Sequence, residues 1–142
     1  MLKVMLPVDG SPNALRAVNY VIQLARTGSR VTVHLAHAHE EPLLYGELGI
    51  FVSKEQIAEL QEKHSEAVLA PAEKLLRDAK VPFVKEILVG PIAERIAARA
   101  EELGCHAIVM GTRGMGSIGN LLMGSVSTKV VHLATMPVTL VR

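Results

Sequence analysis

The amino-acid sequence predicts an α/β fold, with an open sheet of five parallel strands in the order 3-2-1-4-5 and helices on both faces. Two observations carry this prediction. Short runs of Val, Ile, Leu and Met are continuously apolar, as in strands buried on both faces. They alternate with segments whose apolar residues recur every three or four positions, as in amphipathic helices. Such alternation is typical of parallel sheets, and right-handed crossovers leave few strand orders.

The first strand is predicted over residues 3–8, because this stretch is apolar without alternation. Residues 9–13, Asp-Gly-Ser-Pro-Asn, form a dense turn signal. An amphipathic helix is expected over 14–27, and Gly28 follows it where a helix commonly ends.

The second strand is predicted over 31–38, and a loop containing Pro and Gly leads to a long helix over 53–79. Ser53 and Gln56 have the spacing of a capping box at its start. Pro71 is expected to kink this helix or to split it in two. Its predicted apolar face consists of Ile57, Leu60, His64, Val68, Leu69, Ala72, Leu75 and Leu76.

The second half of the chain continues the alternation. Apolar runs predict strands at 83–89, 107–111 and 138–141. Helices are expected over 91–103, where Pro91 suits a first turn, and over 125–134. The chosen strand order places a topological switch point, the usual position of a ligand, between the first and fourth strands.

Composition excludes several classes of protein. With 142 residues the chain is expected to form a single domain, residues 1–142. A net charge of +1 and 3% aromatic residues disfavour binding to nucleic acid or to an anionic membrane. The single cysteine, Cys105, fits a reducing compartment and is expected to be buried. No apolar run is long enough to span a bilayer and the start lacks a signal-peptide layout, so we expect a cytoplasmic protein.

The segment from Gly111 to Gly124 is the most informative, since it holds five of the eleven glycines and leads into a helix N-terminus. Helix N-termini favour phosphate, and glycine permits the close backbone approach that binding it requires. Two familiar motifs do not fit. The dinucleotide motif should follow the first strand and precede an acidic residue by about 20 positions, whereas the last acidic residue is Glu102. The P-loop motif needs a Gly-Lys pair that this segment lacks.

A third pattern does fit. Gly111, two residues, Gly114, nine residues and then Gly124-Ser125 resembles the nucleotide-binding signature of the universal stress protein family. The segments 6–11, 110–114 and 136–141 also resemble that family's first strand and turn, its fourth strand end and its closing strand, so the resemblance covers the whole chain.

The resemblance implies a Rossmann-like fold of the adenine nucleotide alpha hydrolase type, which in this family is commonly dimeric and induced under stress. It places Pro7 and Asp9 at the adenosine, the backbone of Ala38 at adenine, and Gly111 and Gly114 at the ribose and α-phosphate. The full set of nucleotide-binding residues that it implies is Pro7, Asp9, Ala38, Met110, Gly111, Thr112, Arg113, Gly114, Gly124, Ser125, Val126 and Ser127.

Other interpretations of these residues stay open at this point. Asp9 alone fits a helix cap or an Asx-turn, Ser125 and Ser127 fit helix caps, and Arg113 fits either a surface charge or a phosphate partner. No catalytic residue is assigned.

The histidines are not assigned to a metal site. In a strand His37 and His39 share one face and His34 points to the other, and no Cys or regular carboxylate spacing joins them. His64, on the apolar helix face, is interpreted as a core or interface residue.

The leading hypothesis is an ATP-binding stress sensor or switch, with ADP or AMP as alternative ligands and with or without Mg²⁺, that responds through the order of the 112–124 loop. A homodimer is expected through the apolar edge strand 138–141, because exposed strand edges favour pairing. The alternatives are a slow ATPase or self-phosphorylating enzyme and an interaction module that binds no nucleotide. The sequence does not identify a downstream protein partner.

Overall fold

The computed structural model describes residues 1–41, 53–113 and 123–142, and within them the chain alternates between strand and helix. The elements are β1 (Leu2–Pro7), α1 (Pro12–Arg26), β2 (Val31–His39), α2 (Lys54–Asp78), β3 (Phe83–Val89), α3 (Ile92–Glu102), β4 (Ala107–Gly111), α4 (Ser125–Leu133) and β5 (Val138–Val141). The strands pair in parallel in the order β3-β2-β1-β4-β5. The predicted fold and strand order are therefore confirmed, with helix and strand ends shifted by one or two residues.

The turn after β1 explains why α1 begins earlier than expected. Ser11 is the N-cap, and its hydroxyl accepts a hydrogen bond from the Ala14 N–H at 3.1 Å. The Asp9 carboxylate accepts from the Ser11 N–H at 3.0 Å, so Asp9 forms an Asx-turn and leaves the cap to Ser11. Gly10 has a φ of +87°, a conformation that favours glycine.

Helix α2 confirms its predicted cap and departs from its predicted apolar face. Ser53 and Gln56 form the predicted capping box. The helix is continuous from Lys54 to Asp78, so of the two alternatives expected at Pro71 the split is excluded. Its buried residues begin only at Ser65 and include Leu69 and Leu76. The predicted apolar face is wrong at the other end: Leu60 is 62% exposed and His64 is exposed, because these turns run beside a cavity instead of over the sheet.

The core lies in two layers, one on each face of the sheet. Alternate residues of β1 point to opposite layers, with Val4 and Leu6 facing α1 and α2, and Met5 facing α3 and α4. Cys105 is buried in the second layer, as predicted, and burial raises the pKa of its thiol. No helix in the described ranges is both long and apolar enough to cross a membrane.

Strand β5 lies at one edge of the sheet and pairs with β4. All four of its residues are only half-buried, which is unusual for an apolar strand. Val131 and Leu133, on the neighbouring helix α4, are also substantially exposed. The edge strand and helix α4 thus each expose apolar side chains.

Candidate functional site

A cavity of about 650 Å³ opens where β1, β2 and β4 end, at the switch point that the strand order predicts. Most of the residues predicted from the sequence line it: Pro7, Asp9, Ala38, Met110, Gly111, Arg113, Gly124, Ser125, Val126 and Ser127. Thr112 is not among the lining residues, and Gly114 and most of the 112–124 loop lie outside the described residues. Residues far apart in the chain therefore meet because each follows the carboxyl end of a parallel strand.

The start of α4 forms one wall of the cavity. Gly124 is the N-cap, and no side chain caps the helix. The N–H groups of Ser125, Val126 and Ser127 come before the first intrahelical hydrogen bond, which the Thr128 N–H donates to the Gly124 carbonyl at 3.1 Å. Since all three residues line the cavity, this wall presents donors and the positive end of a helix dipole.

Thr112 fixes the position of the first turn of α4 through its backbone carbonyl. Its carbonyl accepts hydrogen bonds from the Gly124 N–H and from the Ser127 hydroxyl, the latter at 2.8 Å. Ser127 is buried and its hydroxyl is engaged with Thr112, and neither it nor Ser125 caps the helix with its side chain. Ser127 can reach a ligand through its backbone N–H.

Asn13 is a residue that sequence reasoning missed. Its amide oxygen accepts from the Arg113 N–H at 2.8 Å, and its amide nitrogen donates to the Val141 carbonyl at 3.2 Å. A Cβ atom on Gly111 would lie 2.9 Å from Asn13 Cγ and 3.0 Å from its backbone oxygen. Gly111 is thus required for the approach of Asn13, a role distinct from the predicted ligand contact. The available signal was a polar residue on the apolar face of α1.

Three histidines line the side of the cavity next to α2. The ring of His37 lies 6.2 Å from that of His39 and 6.3 Å from that of His64, measured between centroids. His34 points to the other face, as predicted, and its Nε2 is 2.8 Å from a Glu86 carboxylate oxygen. His64 is therefore not a core residue. Within the described ranges, no three His, Cys, Asp or Glu side chains are placed to hold a metal ion.

Burial lowers the pKa of His37, and the neighbouring His39 and His64 lower it further. The hydrogen bond to Val8 and the charge of Asp9 act in the opposite direction, but the net pKa is lowered. The ring is therefore neutral at pH 7. Among the described lining residues, Arg113 carries the only permanent positive charge, while Lys129 is exposed and lies outside the cavity lining.

Comparison with known proteins gives a consistent result. The model of the universal stress protein family matches residues 1–142. A universal stress protein of Thermus aquaticus is 38% identical over 141 residues, covering 98% of this chain and 97% of the relative. The solved structure of MJ0577 of Methanocaldococcus jannaschii has a TM-score of 0.77 at 27% identity and covers 98% and 94% of the two chains. The universal stress protein of Archaeoglobus fulgidus in complex with dAMP has a TM-score of 0.68 at 25% identity, with coverage of 100% and 98%.

Proposed function

The chain belongs to the universal stress protein family, and from that premise we propose that its cavity binds an adenine nucleotide, with ATP as the leading ligand and ADP or AMP as alternatives. One observation carries the proposal. The free N–H groups at the start of α4 and the predicted residues after β1 and β4 line one cavity. The dAMP complex of the Archaeoglobus fulgidus relative supports the choice of adenine.

The cavity offers both polar groups and apolar surface to such a ligand. Its volume of about 650 Å³ lies within the usual range for small-molecule sites. The N–H groups of Ser125, Val126 and Ser127 are placed to hold phosphate oxygens. Apolar surface from Pro7 of β1 and Ala38 of β2 offers contact for the base.

The helix N-terminus alone does not supply the affinity. It stabilises a nearby anion by about 0.3–1 kcal/mol at an exposed site, whereas a micromolar complex requires about 8 kcal/mol. The remainder must come from burial of the base and from further backbone hydrogen bonds. Because Arg113 is the only permanent cation among the described lining residues, we expect Mg²⁺ to accompany a bound triphosphate.

We further propose that the protein is a cytoplasmic homodimer in which nucleotide occupancy acts as a stress sensor or switch. The half-buried strand β5 and the exposed Leu133 of α4 support the dimer. Fast hydrolysis requires a cationic clamp and a positioned water, and the described lining residues include no lysine. We therefore expect ATP turnover far below the typical enzyme value of about 10 s⁻¹.

The first test is to purify the protein without added nucleotide, denature it, and identify any released ligand by mass spectrometry. A near-stoichiometric adenine nucleotide is expected. Its phosphate count separates an ATP-binding protein from a hydrolase that retains its product. An empty protein that also gives no heat on titration with ATP and Mg²⁺ would contradict the proposal and favour an interaction module.

A variant pair tests the phosphate wall itself. Ser125→Asp places a negative charge at the first residue of α4, and Ser125→Asn is the neutral control of equal size. Because the helix dipole favours an acidic residue there, the unfolding midpoint of the Asp variant should not fall. Calorimetry should show that the Asp variant binds ATP at least about tenfold more weakly than the Asn variant. This factor corresponds to roughly one repulsion between two negative charges. Adenosine should bind both variants equally; equal ATP affinity would refute this placement of the phosphates.

A further inference from the structure

The three histidines on the α2 side of the cavity are not explained by phosphate binding. We propose that His37, flanked by His39 and His64, forms a base-recognition subsite in which its Nε2 accepts a hydrogen bond from the exocyclic amino group of a 6-aminopurine. This inference rests on the proposed nucleotide function and specifies how the same cavity selects its base.

The tautomer of His37 is fixed by the protein. Its Nδ1 lies 2.9 Å from the Val8 carbonyl oxygen in a buried contact. A carbonyl can only accept, so Nδ1 carries the proton. In the neutral ring the other nitrogen, Nε2, then presents a lone pair and acts as an acceptor.

That acceptor lies in a nearly closed environment. His37 is 7% exposed and its ring lines the cavity. Within the described part of the chain, Val8 is its only hydrogen-bond partner. Among the described residues the buried side-chain atoms without a partner are Arg95 Nε and Thr112 Oγ1, not His37 Nε2, so Nε2 meets solvent in the cavity. A ligand that displaces this solvent must supply a donor in its place, and a ligand with a donor is therefore favoured over one without.

The neighbouring groups keep the ring neutral. His39 of β2 and His64 of α2 are near enough to disfavour a second positive charge, while Asp9 of the β1–α1 turn acts in the opposite direction. The other titratable side chain of this wall is Glu40, next to His39. Burial dominates these effects, so Nε2 remains an acceptor at neutral pH.

The sheet places this acceptor at the base end of a nucleotide. The phosphate wall follows β4, whereas His37 and His39 are on β2, and β1 lies between these strands. With neighbouring strands about 4.8 Å apart, β2 is about 10 Å from β4. A nucleotide whose phosphates lie at the start of α4 therefore directs its base, not its phosphates, toward the histidines.

The test compares three ligands by calorimetry at pH 8: AMP, IMP, and purine riboside 5′-monophosphate, which lacks the 6-amino group and adds no oxo group. AMP should bind at least about tenfold more tightly than the other two, since a site built for a donor rejects ligands without it. His37→Phe should bind AMP and purine riboside monophosphate equally. His132→Phe, a matched ring replacement at an exposed position outside the cavity lining, should keep the preference for AMP.

A second measurement does not depend on any variant folding. Nitrogen-15 NMR of the ligand-free protein should show His37 with its proton on Nδ1, and AMP but not purine riboside monophosphate should shift the Nε2 resonance. A proton on Nε2, or equal affinity of the wild-type protein for AMP and purine riboside monophosphate, would overturn the inference. The inference would also be overturned if 2′-deoxy-AMP bound about tenfold more weakly than AMP while purine riboside monophosphate bound as tightly as AMP. That result would assign the hydrogen-bond donor to the ribose.

The two proposals fail in different ways. If AMP binds without preference for the amino group, the nucleotide function stands and the His37 subsite does not. If neither ATP nor AMP binds at all, both are refuted.

Discussion

The substitution Gly111→Ala is the sharpest test of how the site is built. Gly111 does not have a positive φ, so alanine meets no backbone strain there. Where the backbone conformation suits both residues, replacing glycine by alanine usually stabilises a protein by about 0.4–1 kcal/mol, because the unfolded chain then has less conformational entropy to lose on folding. The packing of Asn13 against Gly111 predicts the opposite sign.

The magnitude follows from the contacts of Asn13. The new Cβ would lie 2.9 Å from Asn13 Cγ, so the side chain must move and lose its hydrogen bonds with Arg113 and Val141. Each bond contributes about 0.5–1.5 kcal/mol, and a buried polar group left unpaired costs about 1–3 kcal/mol. After the entropy gain, we expect a net loss of about 2 kcal/mol, or a melting temperature lower by roughly 4–8 °C.

The assay is urea unfolding of a double-mutant cycle with Asn13→Ala. In the Asn13→Ala background the displaced side chain is gone, and the remaining close contact is with the Asn13 backbone oxygen at 3.0 Å. In that background Gly111→Ala should lower the free energy of unfolding by less than about 1 kcal/mol. The difference between the two backgrounds is the coupling energy of the two residues, which is close to zero for sites that are far apart. A neutral or stabilising single substitution, or strict additivity of the two, would refute the reasoning.

Three further predictions concern His37, Glu86 and Leu133. In the folded protein the pKa of His37 is below its ordinary value of 6.5. The stability that the neutral ring contributes is therefore present above pH 6.5 and is lost as the pH falls through the lowered pKa. His37→Asn should flatten that part of a plot of unfolding free energy against pH. Glu86 accepts hydrogen bonds from Arg99 and His34, each at 2.8 Å. Burial alone would raise the pKa of Glu86, but these hydrogen bonds lower it. Glu86→Gln should therefore reduce the free energy of unfolding by about 1 kcal/mol at pH 7, measured by urea unfolding. The loss should become smaller at acid pH, where the native carboxylate is protonated. Leu133→Lys adds a charge at an exposed apolar position at the end of α4. If α4 takes part in the proposed dimer interface, this variant should be monomeric in sedimentation at micromolar concentration without a lower unfolding midpoint; an unchanged dimer would place the interface elsewhere.

The sequence predicted the order of the elements because buried parallel strands and amphipathic helices have different periods. It did not predict which turns of α2 lie over the sheet, since spacing identifies the apolar face of a helix but not where its partner ends. Leu60 and His64 fit the stripe and are nevertheless exposed beside the cavity. Helix α2 also continues through Pro71, because tertiary packing outweighs one missing hydrogen bond.

For the site, the sequence predicted which residues come together where they lie at or next to the end of a strand. Pro7, Asp9 and Gly124 carry a recognisable local pattern and line one cavity. Asn13 and His37 have no such pattern, because their partners Arg113 and Val8 lie far away in sequence. Their contributions depend on side-chain packing across elements, which a single sequence does not reveal.

The carbonyl of Val141 accepts two hydrogen bonds, one from the Thr112 N–H at 2.9 Å and one from the Asn13 side chain. The last residue of the edge strand is thereby joined to both residues that lead from β4 into the glycine-rich segment, since Asn13 also holds Arg113. A displacement of β5 on subunit pairing would be transmitted through two bonds to the phosphate wall. If pairing and nucleotide binding each favour the same position of this strand, they must strengthen one another by the same factor, because coupling between two binding equilibria is reciprocal. Under the proposed dimerisation and nucleotide binding, the apparent dissociation constant of the dimer would then depend on the nucleotide concentration.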